Sequence, residues 1–366
     1  MKPEKSDFFD ELSAMTSCFE KLAAEKRPLF IYGMGNGAEK LIDALEKNKI
    51  SFVGFFASDE FLRTHTFHGH RVHSLSEVES SVGDFAVVLA FACGYPGLID
   101  KITELSHRHT LYVPDLPVVN DGILFDKAFL HENEDAIRAA YELFDDEQSR
   151  SVYINVLKFK ISGDPSYLKL CETPVSENFP LLGLGGNEVY LDLGAYNGDT
   201  AARFINAVSG CFDGITAVEP DKKNFAKLEK YVASLPDEQQ SRIRTVCAPI
   251  WSSECDMPFM QLTGRRSAIA ESGNAEMRRT VSVDSLFRDK KVTFIKIDTE
   301  GAEAEAIRGG CKTIVMDKPK LAISVYHRSR DIFSIPLMIA RLRPDYRFLL
   351  RHNPYIPAWD TDLYCI

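Results

Sequence analysis

The stretch VYLDLGAYNGDT, residues 189–200, decides the fold of the C-terminal half of this sequence. An apolar run is followed by a turn of small residues and then by residues suited to a helix start. Asp192, Gly194 and Gly198 give the spacing D-x-G-x-x-x-G, in which glycine lets the backbone approach a ligand closely or take a positive φ. This order of strand, glycine turn and helix predicts a Rossmann-like β-α-β unit.

A second apolar run covers residues 214–218 and ends at Glu219. An acidic side chain at this point of the unit can accept hydrogen bonds from both ribose hydroxyls of a nucleoside. Asp192 suits a cationic or amino-bearing group better than a pyrophosphate, and S-adenosylmethionine carries such a group. Either acid alone is equally consistent with an ordinary strand end. Together they predict an S-adenosylmethionine site with these contact residues: Asp192, Gly194, Ala195, Tyr196, Gly198, Asp199, Thr200, Glu219 and Asp298.

Strand-like runs recur through the C-terminal half of the sequence. They cover residues 188–193, 214–218, 242–247, 292–297, 320–326 and 346–350, and a last segment covers 362–366. The pattern predicts one long α/β sheet with a hairpin-like end. Asp199 or Thr200 suits the N-cap of the helix that follows the glycine turn.

Several blocks of residues 188–366 resemble the FkbM-type family of class I methyltransferases. The blocks are VYLDLGAYNGDT (189–200), ITAVEPD (215–221), VSVDSL (281–286), FIKIDTEGAEAEAIRGG (294–310), KPKLAISVYHRSRDIF (318–333) and YRFLLRHNP (346–354). The resemblance implies a seven-stranded sheet with a reversed last strand and S-adenosylmethionine as the methyl donor. It also implies O-methylation of a hydroxyl on a sugar, a glycoconjugate or a similar small molecule.

Asp298, Glu300 and His327 follow two buried runs whose carboxyl ends meet at one edge of a parallel sheet. We therefore expect them near the reactive end of the cofactor, with His327 and Asp298 as catalytic residues. His327 is a candidate general base, because an unperturbed imidazole has a pKa of about 6.5. Alternatively, Asp298, Glu300 and His327 together bind a divalent cation, or His327 has only a structural role. Asp331 is a candidate to orient His327.

Further polar residues are candidates to bind the acceptor. Arg265 and Arg266 lie in a polar loop and suit an anionic group such as a phosphate or carboxylate. Arg351 and His352 end a predicted strand on the expected substrate side, and Glu300 lies in the turn after Asp298. A solvated charge pair is the alternative interpretation of the two loop arginines.

The N-terminal part predicts a second, smaller Rossmann-like domain. Short apolar runs at 29–32, 50–56, 85–91 and 110–113 alternate with helical segments after a leading helix over 1–26. The sequence Gly33-Met34-Gly35-Asn36-Gly37 follows the first run, and Asp59 follows the second. We assign residues 1–118 to this domain, which is a candidate binder of a nucleotide or nucleotide-sugar. A structural or oligomerising role is the alternative, and a metal site at His65, His68, His70 and His73 is disfavoured.

Residues 119–185 predict a helical connector or cap, with helical periodicity at 134–143 and 147–159, and residues 186–366 form the predicted methyltransferase domain. The first glycine loop keeps open the alternative of a nicotinamide-dependent oxidoreductase. A non-catalytic cofactor-binding protein is the other alternative.

Composition limits the class of protein. The 366 residues have a formal net charge of -10, which argues against nucleic acid as a partner because phosphate binding needs clustered Lys and Arg. The sequence contains no apolar run of about 20 residues, the length of a membrane span, and its first ten residues lack a secretory core. The eight cysteines form no metal-binding pattern. We expect a cytoplasmic enzyme that acts on a small hydroxylated acceptor. The sequence leaves the oligomeric state open, with a homo-oligomer as one option.

Overall fold

The structure is a computed structural model that describes residues 7–59, 66–119, 122–261, 267–269, 276–287 and 291–366. The N-terminal part forms a six-stranded sheet with the order β3-β4-β2-β1-β5-β6. Its strands are β1 (Leu29–Tyr32), β2 (Gly54–Ala57), β3 (Thr66–Phe67), β4 (His70–Ser74), β5 (Ala86–Leu89) and β6 (Thr110–Tyr112). All neighbours are parallel except β3, which pairs antiparallel with β4 at the edge. The predicted Rossmann-like N-terminal domain is confirmed.

The leading segment is two helices rather than the single helix predicted over 1–26. Ser17 accepts a hydrogen bond from the Glu20 amide, and the Glu20 carboxylate accepts one from the Ser17 amide. This capping box starts a new helix three residues after the first one ends. The helices of this part are α1 (Phe8–Ala14), α2 (Cys18–Ala24), α3 (Asn36–Lys47), α4 (Leu75–Val82) and α5 (Pro96–Arg108).

The segment between the two sheets is helical, as predicted. It contains α6 (Lys127–Glu132), α7 (Glu134–Leu143), α8 (Glu147–Ser162), α9 (Ser166–Lys169), a 3-10 turn (Val175–Glu177) and α10 (Asn178–Leu182). One whole face of α8 is buried, including Val152, Val156 and Phe159. It packs against a strand of the second sheet, so the connector is part of the C-terminal core.

The C-terminal sheet has seven strands in the order β15-β16-β14-β13-β7-β8-β9. The strands are β7 (Val189–Leu193), β8 (Gly214–Val218), β9 (Ile243–Val246), β13 (Phe294–Ile297), β14 (Lys320–Ser324), β15 (Phe348–His352) and β16 (Thr361–Cys365). The last strand runs antiparallel to both of its neighbours. The predicted methyltransferase sheet with a reversed last strand is therefore confirmed, and each predicted strand lies within a few residues of the observed one.

Helices cover both faces of this sheet. They are α11 (Asp199–Ala207), α12 (Lys222–Val232), α13 (Asp237–Gln240), α14 (Val283–Leu286), α15 (Glu303–Arg308), α16 (Cys311–Asp317) and α17 (Asp331–Leu342). On one face Tyr190 stacks on Phe294, with ring centroids 4.6 Å apart. Among the residues that the structure describes, no helix has the length and hydropathy needed to cross a membrane.

A small antiparallel sheet lies outside the predicted architecture. It contains β10 (Asp256–Gln261), β11 (Ser267–Ile269) and β12 (Glu276–Arg279), in the order β11-β10-β12. The strands are short, and β12 is polar and mostly exposed, so it carries no buried apolar run that the sequence pattern could reveal.

Backbone hydrogen bonds join the N-terminal part of the chain to loops of the C-terminal sheet. The backbone of Cys93 exchanges two hydrogen bonds with Ile356, of 2.7 and 2.9 Å. The Val119 amide donates to the backbone oxygen of His327 at 3.0 Å, and the neighbouring Pro117 and Val118 carbonyls accept from Lys40 of α3. Both contacts lie at the carboxyl ends of strands, so the two halves meet where ligands bind.

Candidate active site

The glycine turn after β7 lies directly against the end of β13. Gly194 has φ +78°, and a Cβ built there would collide with the backbone oxygen of Asp298. Its amide and that of Ala195 both donate to the Val218 carbonyl at 3.0 Å, which ties the turn to the end of β8 as well. Glycine is therefore required here by close packing of three strand ends.

The turn ends in α11, and neither expected side chain caps this helix. Gly198, with φ +90°, is the N-cap residue, and Asp199 is the first helical residue. The Asp199 carboxylate accepts from the Thr200 amide at 2.9 Å, while Asn197 accepts from the Asp199 amide at 3.2 Å. The N-cap prediction was wrong because the positive φ needed at the cap is readily adopted only by glycine.

Asp192 is completely buried at the centre of the sheet. Neither of its carboxylate oxygens accepts a hydrogen bond of good geometry from the described residues, although the Tyr190 hydroxyl lies close enough to interact with the carboxylate. The nearest cation is the Lys296 ammonium on β13, 3.6 Å from Oδ1. Burial raises the pKa of Asp192, and the charge of Lys296 opposes this shift. An unsatisfied buried carboxylate is costly, so this position favours a ligand that brings positive charge or hydrogen-bond donors close to it.

Glu219 lies at the end of β8, next to the glycine turn. Its carboxylate accepts from the Tyr196 amide and from the Asp221 amide, each at 2.8 Å. Burial raises the pKa of Glu219 to about 7, although both backbone hydrogen bonds act in the other direction. Each carboxylate oxygen has two lone pairs, so the group retains acceptor capacity for ribose hydroxyls.

Asp298, Glu300 and His327 are brought together, as the sequence predicts. His327 Nε2 lies 3.6 Å from Asp298 Oδ1 and 3.7 Å from Glu300 Oε2. Its Nδ1 lies 3.1 Å from Oε1 of Glu303, which is equally buried. Burial alone would lower the pKa of His327, but the negative charges of Glu303, Glu300 and Asp298 raise it to about 10.

This charge arrangement argues against His327 as the base. An imidazolium donates from both ring nitrogens and has no lone pair with which to accept a proton. His327 is also almost inaccessible, at 1% exposure, whereas the Asp298 side chain is 31% exposed. Of these two side chains, Asp298 is therefore the more accessible candidate for a proton acceptor, and His327 lies 3.6 Å behind it.

Glu303 shapes the turn between β13 and α15. Its Oε1 accepts from the Thr299 amide at 2.8 Å and from the Gly301 amide at 3.2 Å, across a turn in which Glu300 and Gly301 both have positive φ. Asp298, Glu303 and His327 each offer an atom within 4.8 Å of the others, a spacing that a metal ion could bridge. The metal-ligand set predicted from the sequence contains Glu300 instead of Glu303. Because Oε1 already accepts these bonds, a turn-forming role explains Glu303 more simply.

Sequence reasoning missed Lys296 and Glu303. Lys296 donates to the Gly194 carbonyl at 2.9 Å and lies 3.4 Å from Asp298 Oδ2, so it joins the turn, Asp192 and Asp298. The charges of Asp298 and Asp192 raise its pKa against the opposing effect of burial. The available signal was a lysine inside an otherwise apolar strand, Phe-Ile-Lys-Ile, since a charge in a buried strand needs partners.

The structure does not bring Arg351 and His352 to this site. The Arg351 guanidinium is 4% exposed and is bound to Asp146 at 2.7 Å, which fixes α8 on the sheet. His352 is fully buried and its Nδ1 lies 2.9 Å from the Thr361 hydroxyl. The strand prediction was right, but the Arg351 side chain ends against the connector and the His352 side chain ends against β16. Arg265 and Arg266 lie outside the described residues.

Three other expectations have local explanations. Asp331 accepts from the Arg328 amide at 2.9 Å at the start of α17, and it is Glu303 that lies against the His327 ring. Asp59 accepts from the Ser76 hydroxyl at 2.9 Å. Among the described residues, the metal-type grouping involves none of the histidines near residue 70, and His68 instead pairs with Glu39 at 2.7 Å.

Residues 192–350 match the family model of the methyltransferase FkbM domain. These residues belong to the FkbM methyltransferase family. The match begins at the buried Asp192 and ends within β15. No curated protein is significantly similar to the sequence.

Solved structures extend the likeness beyond the FkbM domain. The crystal structure of methyltransferase FkbM from Methylobacillus flagellatus KT matches with a TM-score of 0.73 and 22% identity, over 98% of this chain and 97% of that one. At this identity the match shows a shared fold, which includes the N-terminal domain.

Two further solved structures match over about half of the chain. The glycopeptide N-methyltransferase MtfA, complexed with (S)-adenosyl-L-methionine, has a TM-score of 0.26 and 18% identity over 42% of this chain and 50% of its own. An rRNA methylase from Streptococcus thermophilus has a TM-score of 0.33 and 14% identity over 53% of this chain and 95% of its own.

Proposed function

We propose that this protein is an S-adenosylmethionine-dependent methyltransferase that methylates a hydroxyl of a sugar or a similar small molecule. The observation that carries the proposal is a row of three carboxylates at the ends of three adjacent strands. Glu219 ends β8, Asp192 lies in β7 and Asp298 ends β13. In an open parallel sheet these ends line the ligand crevice.

The three acids match different parts of S-adenosylmethionine. Glu219 would accept hydrogen bonds from the ribose hydroxyls. The unsatisfied carboxylate of Asp192 would offset the positive charge of the amino-acid end, directly or through a bridging water. Gly194 lets the ends of β7 and β13 pack closely, which keeps Asp192 and Asp298 on adjacent strands at the same edge of the sheet.

When bound, S-adenosylmethionine supplies an electrophilic methyl group. The task of the protein is to hold the acceptor oxygen in line at about 3 Å from that methyl and to receive the hydroxyl proton. Asp298 would accept a hydrogen bond from the hydroxyl and take its proton as the methyl group passes from sulfur to oxygen, with S-adenosylhomocysteine as the leaving group. His327 on one side and Lys296 on the other hold the Asp298 carboxylate at 3.6 and 3.4 Å.

Calorimetry with S-adenosylhomocysteine tests the cofactor assignment. We expect the unaltered protein to bind, and Asp192→Asn and Glu219→Gln to bind about tenfold more weakly or worse, because each loses a charged hydrogen-bond partner. Asp213→Asn, an exposed acid at the start of β8, is the matched control and should bind normally. No binding by the unaltered protein, or normal binding by both site variants, would overturn the assignment.

The reaction type has its own test. Labelled methyl donor is incubated with hydroxylated acceptors, and the products are identified by NMR. We expect a methyl ether and its loss in Asp298→Asn, with S-adenosylhomocysteine binding retained. A product methylated on nitrogen or carbon would refute O-methylation while leaving the cofactor assignment intact.

A further inference from the structure

A cavity of about 760 Å³ lies between the N-terminal domain and the catalytic half. The N-terminal side of its wall comes from the segments that follow β1, β5 and β6. The other side is the loop between β15 and β16, with Tyr355, Trp359 and Asp360. Its volume falls within the range of pockets that enclose small molecules. None of the residues assigned above to the cofactor or to proton transfer lines this cavity.

The cavity occupies the point in the N-terminal sheet where ligands are expected. Strand β1 lies between β2 and β5, so the chain winds in opposite directions on its two sides. This switch in strand order leaves a crevice outside the carboxyl ends of β1 and β5. Gly37 lies so close to the Ala90 carbonyl that a Cβ would collide with it, which brings the start of α3 to the crevice wall.

The α3 end of the cavity suits an anion. The first turn of α3 contributes Gly37 to the cavity wall, and the positive end of the helix dipole at this turn favours an anion. Lys40 adds a full positive charge to the same wall, and its ammonium is fixed by the Pro117 and Val118 carbonyls at 2.9 and 2.7 Å. A helix end, a lysine and an enclosed cavity therefore coincide.

The opposite end of the cavity suits a hydroxylated ring. Tyr355 and Trp359 stack with ring centroids 6.3 Å apart, and Phe91 and Tyr95 face the same space. Aromatic faces pack on flat, weakly polar ring surfaces. Asp360 supplies a carboxylate beside them, and it also lines a small second cavity that contains Asp298. A ligand in the large cavity would thus reach toward the carboxylate that receives the hydroxyl proton.

We propose that this cavity binds the methyl acceptor and that the acceptor is a phosphorylated sugar. Its phosphate would lie at the start of α3 beside Lys40. Its ring would lie on Tyr355 and Trp359, with a hydroxyl directed past Asp360 toward Asp298. The proposal rests on the proposed methyltransferase function, and it gives the N-terminal domain a role in acceptor recognition. A free sugar phosphate and a nucleotide-linked sugar share this chemistry.

A blocked cavity tests the proposal. Ala92 lines the cavity in the loop after β5 and is half-buried, so Ala92→Trp fills the space from one wall without touching the cofactor turn. Ala23→Trp places the same side chain on an exposed position of α2 and is the control. Binding of glucose 1-phosphate, UDP-glucose, methyl glucoside and inorganic phosphate is measured by calorimetry on the full protein saturated with S-adenosylhomocysteine.

We expect one or both phosphorylated sugars to bind, and Ala92→Trp to weaken that binding about tenfold or more while the control does not. Lys40→Met should weaken the phosphorylated sugars and leave methyl glucoside unchanged. Which phosphorylated sugar binds identifies the source. Equal binding of methyl glucoside or of phosphate alone, or unchanged binding in Ala92→Trp, would overturn the proposal. S-adenosylhomocysteine binding is recorded separately in each variant, so failure of the cofactor assignment is distinguishable.

Discussion

Replacing Gly194 with alanine should damage both the stability and the activity of this protein. A Cβ at this position would lie 1.8 Å from the backbone oxygen of Asp298, where real Cβ contacts essentially never fall below 3.0 Å. The ends of β7 and β13 must therefore separate by about 1 Å or more. The substitution also forces a residue with a side chain to keep φ +78°.

These effects can be turned into magnitudes. A positive φ costs a non-glycine residue about 1–2 kcal/mol, and overpacking adds about 1–3 kcal/mol, so we expect a loss of roughly 2–5 kcal/mol in the free energy of unfolding. At about 2–4 °C per kcal/mol, the melting temperature should fall by roughly 4 to 20 °C. Because Asp298 moves with the strand end, methyl transfer should fall by about 100-fold or more.

Calorimetric melting gives the stability change, and initial rates with labelled methyl donor give the activity. Gly185→Ala is the matched control, since a Cβ there meets nothing within 4 Å and its φ is ordinary. It should melt and react like the unaltered protein. If Gly194→Ala kept its melting temperature and its rate, the idea that close strand packing builds the cofactor site would be refuted.

Three more outcomes follow from the charges of the site. Burial raises the pKa of Glu219 to about 7, well above the ordinary value of a glutamate, so the folded protein loses stability as the pH rises toward 7 and this carboxyl ionises. Ribose hydroxyls donate hydrogen bonds to the carboxylate form of Glu219. S-adenosylhomocysteine, titrated on either side of pH 7, should therefore bind more tightly at the higher pH, and Glu219→Gln should remove this pH dependence. Lys296→Met should lower the free energy of unfolding by about 3–5 kcal/mol, measured by urea titration, because it leaves Asp192 without its cation; adding Asp192→Asn should restore part of the loss. Methyl transfer should survive EDTA, since Glu303 is committed to its turn, and a rate abolished by EDTA and restored by Mg²⁺ would contradict that role.

The strands and helices of the two large sheets follow from the sequence because their buried faces repeat apolar residues at a regular spacing. The run Val189–Leu193 and the turn at Gly194 predict the first strand and the cofactor loop, and both are where the pattern places them. The break at Ser17 was missed because a capping box competes with helical periodicity that continues on both sides. Short, polar strands such as Glu276–Arg279 leave no period to detect.

The sequence predicted which side chains lie close together where a backbone position decides what a side chain meets. Asp298 and His327 end neighbouring strands, so their approach follows from topology. Arg351 also ends its strand, but α8 packs over it and supplies Asp146, a contact between segments about 200 residues apart that one sequence cannot reveal. The raised pKa of His327 likewise depends on Glu303, whose position is set by the turn it closes.

The hydrogen bond from the Val119 amide to the backbone of His327 makes the catalytic half dependent on the segment that precedes it. Val119 also packs so closely on Gly301 that no Cβ would fit there, and Lys40 of the first domain secures the same segment. A chain shortened to residues 186–366 would lose this contact beside Asp298, and it would also lose α8, which packs on β15 and pairs with the buried Arg351. The two domains are therefore structurally dependent on each other. Replacing one of them with a foreign domain would require new contacts to Val119, Gly301 and His327.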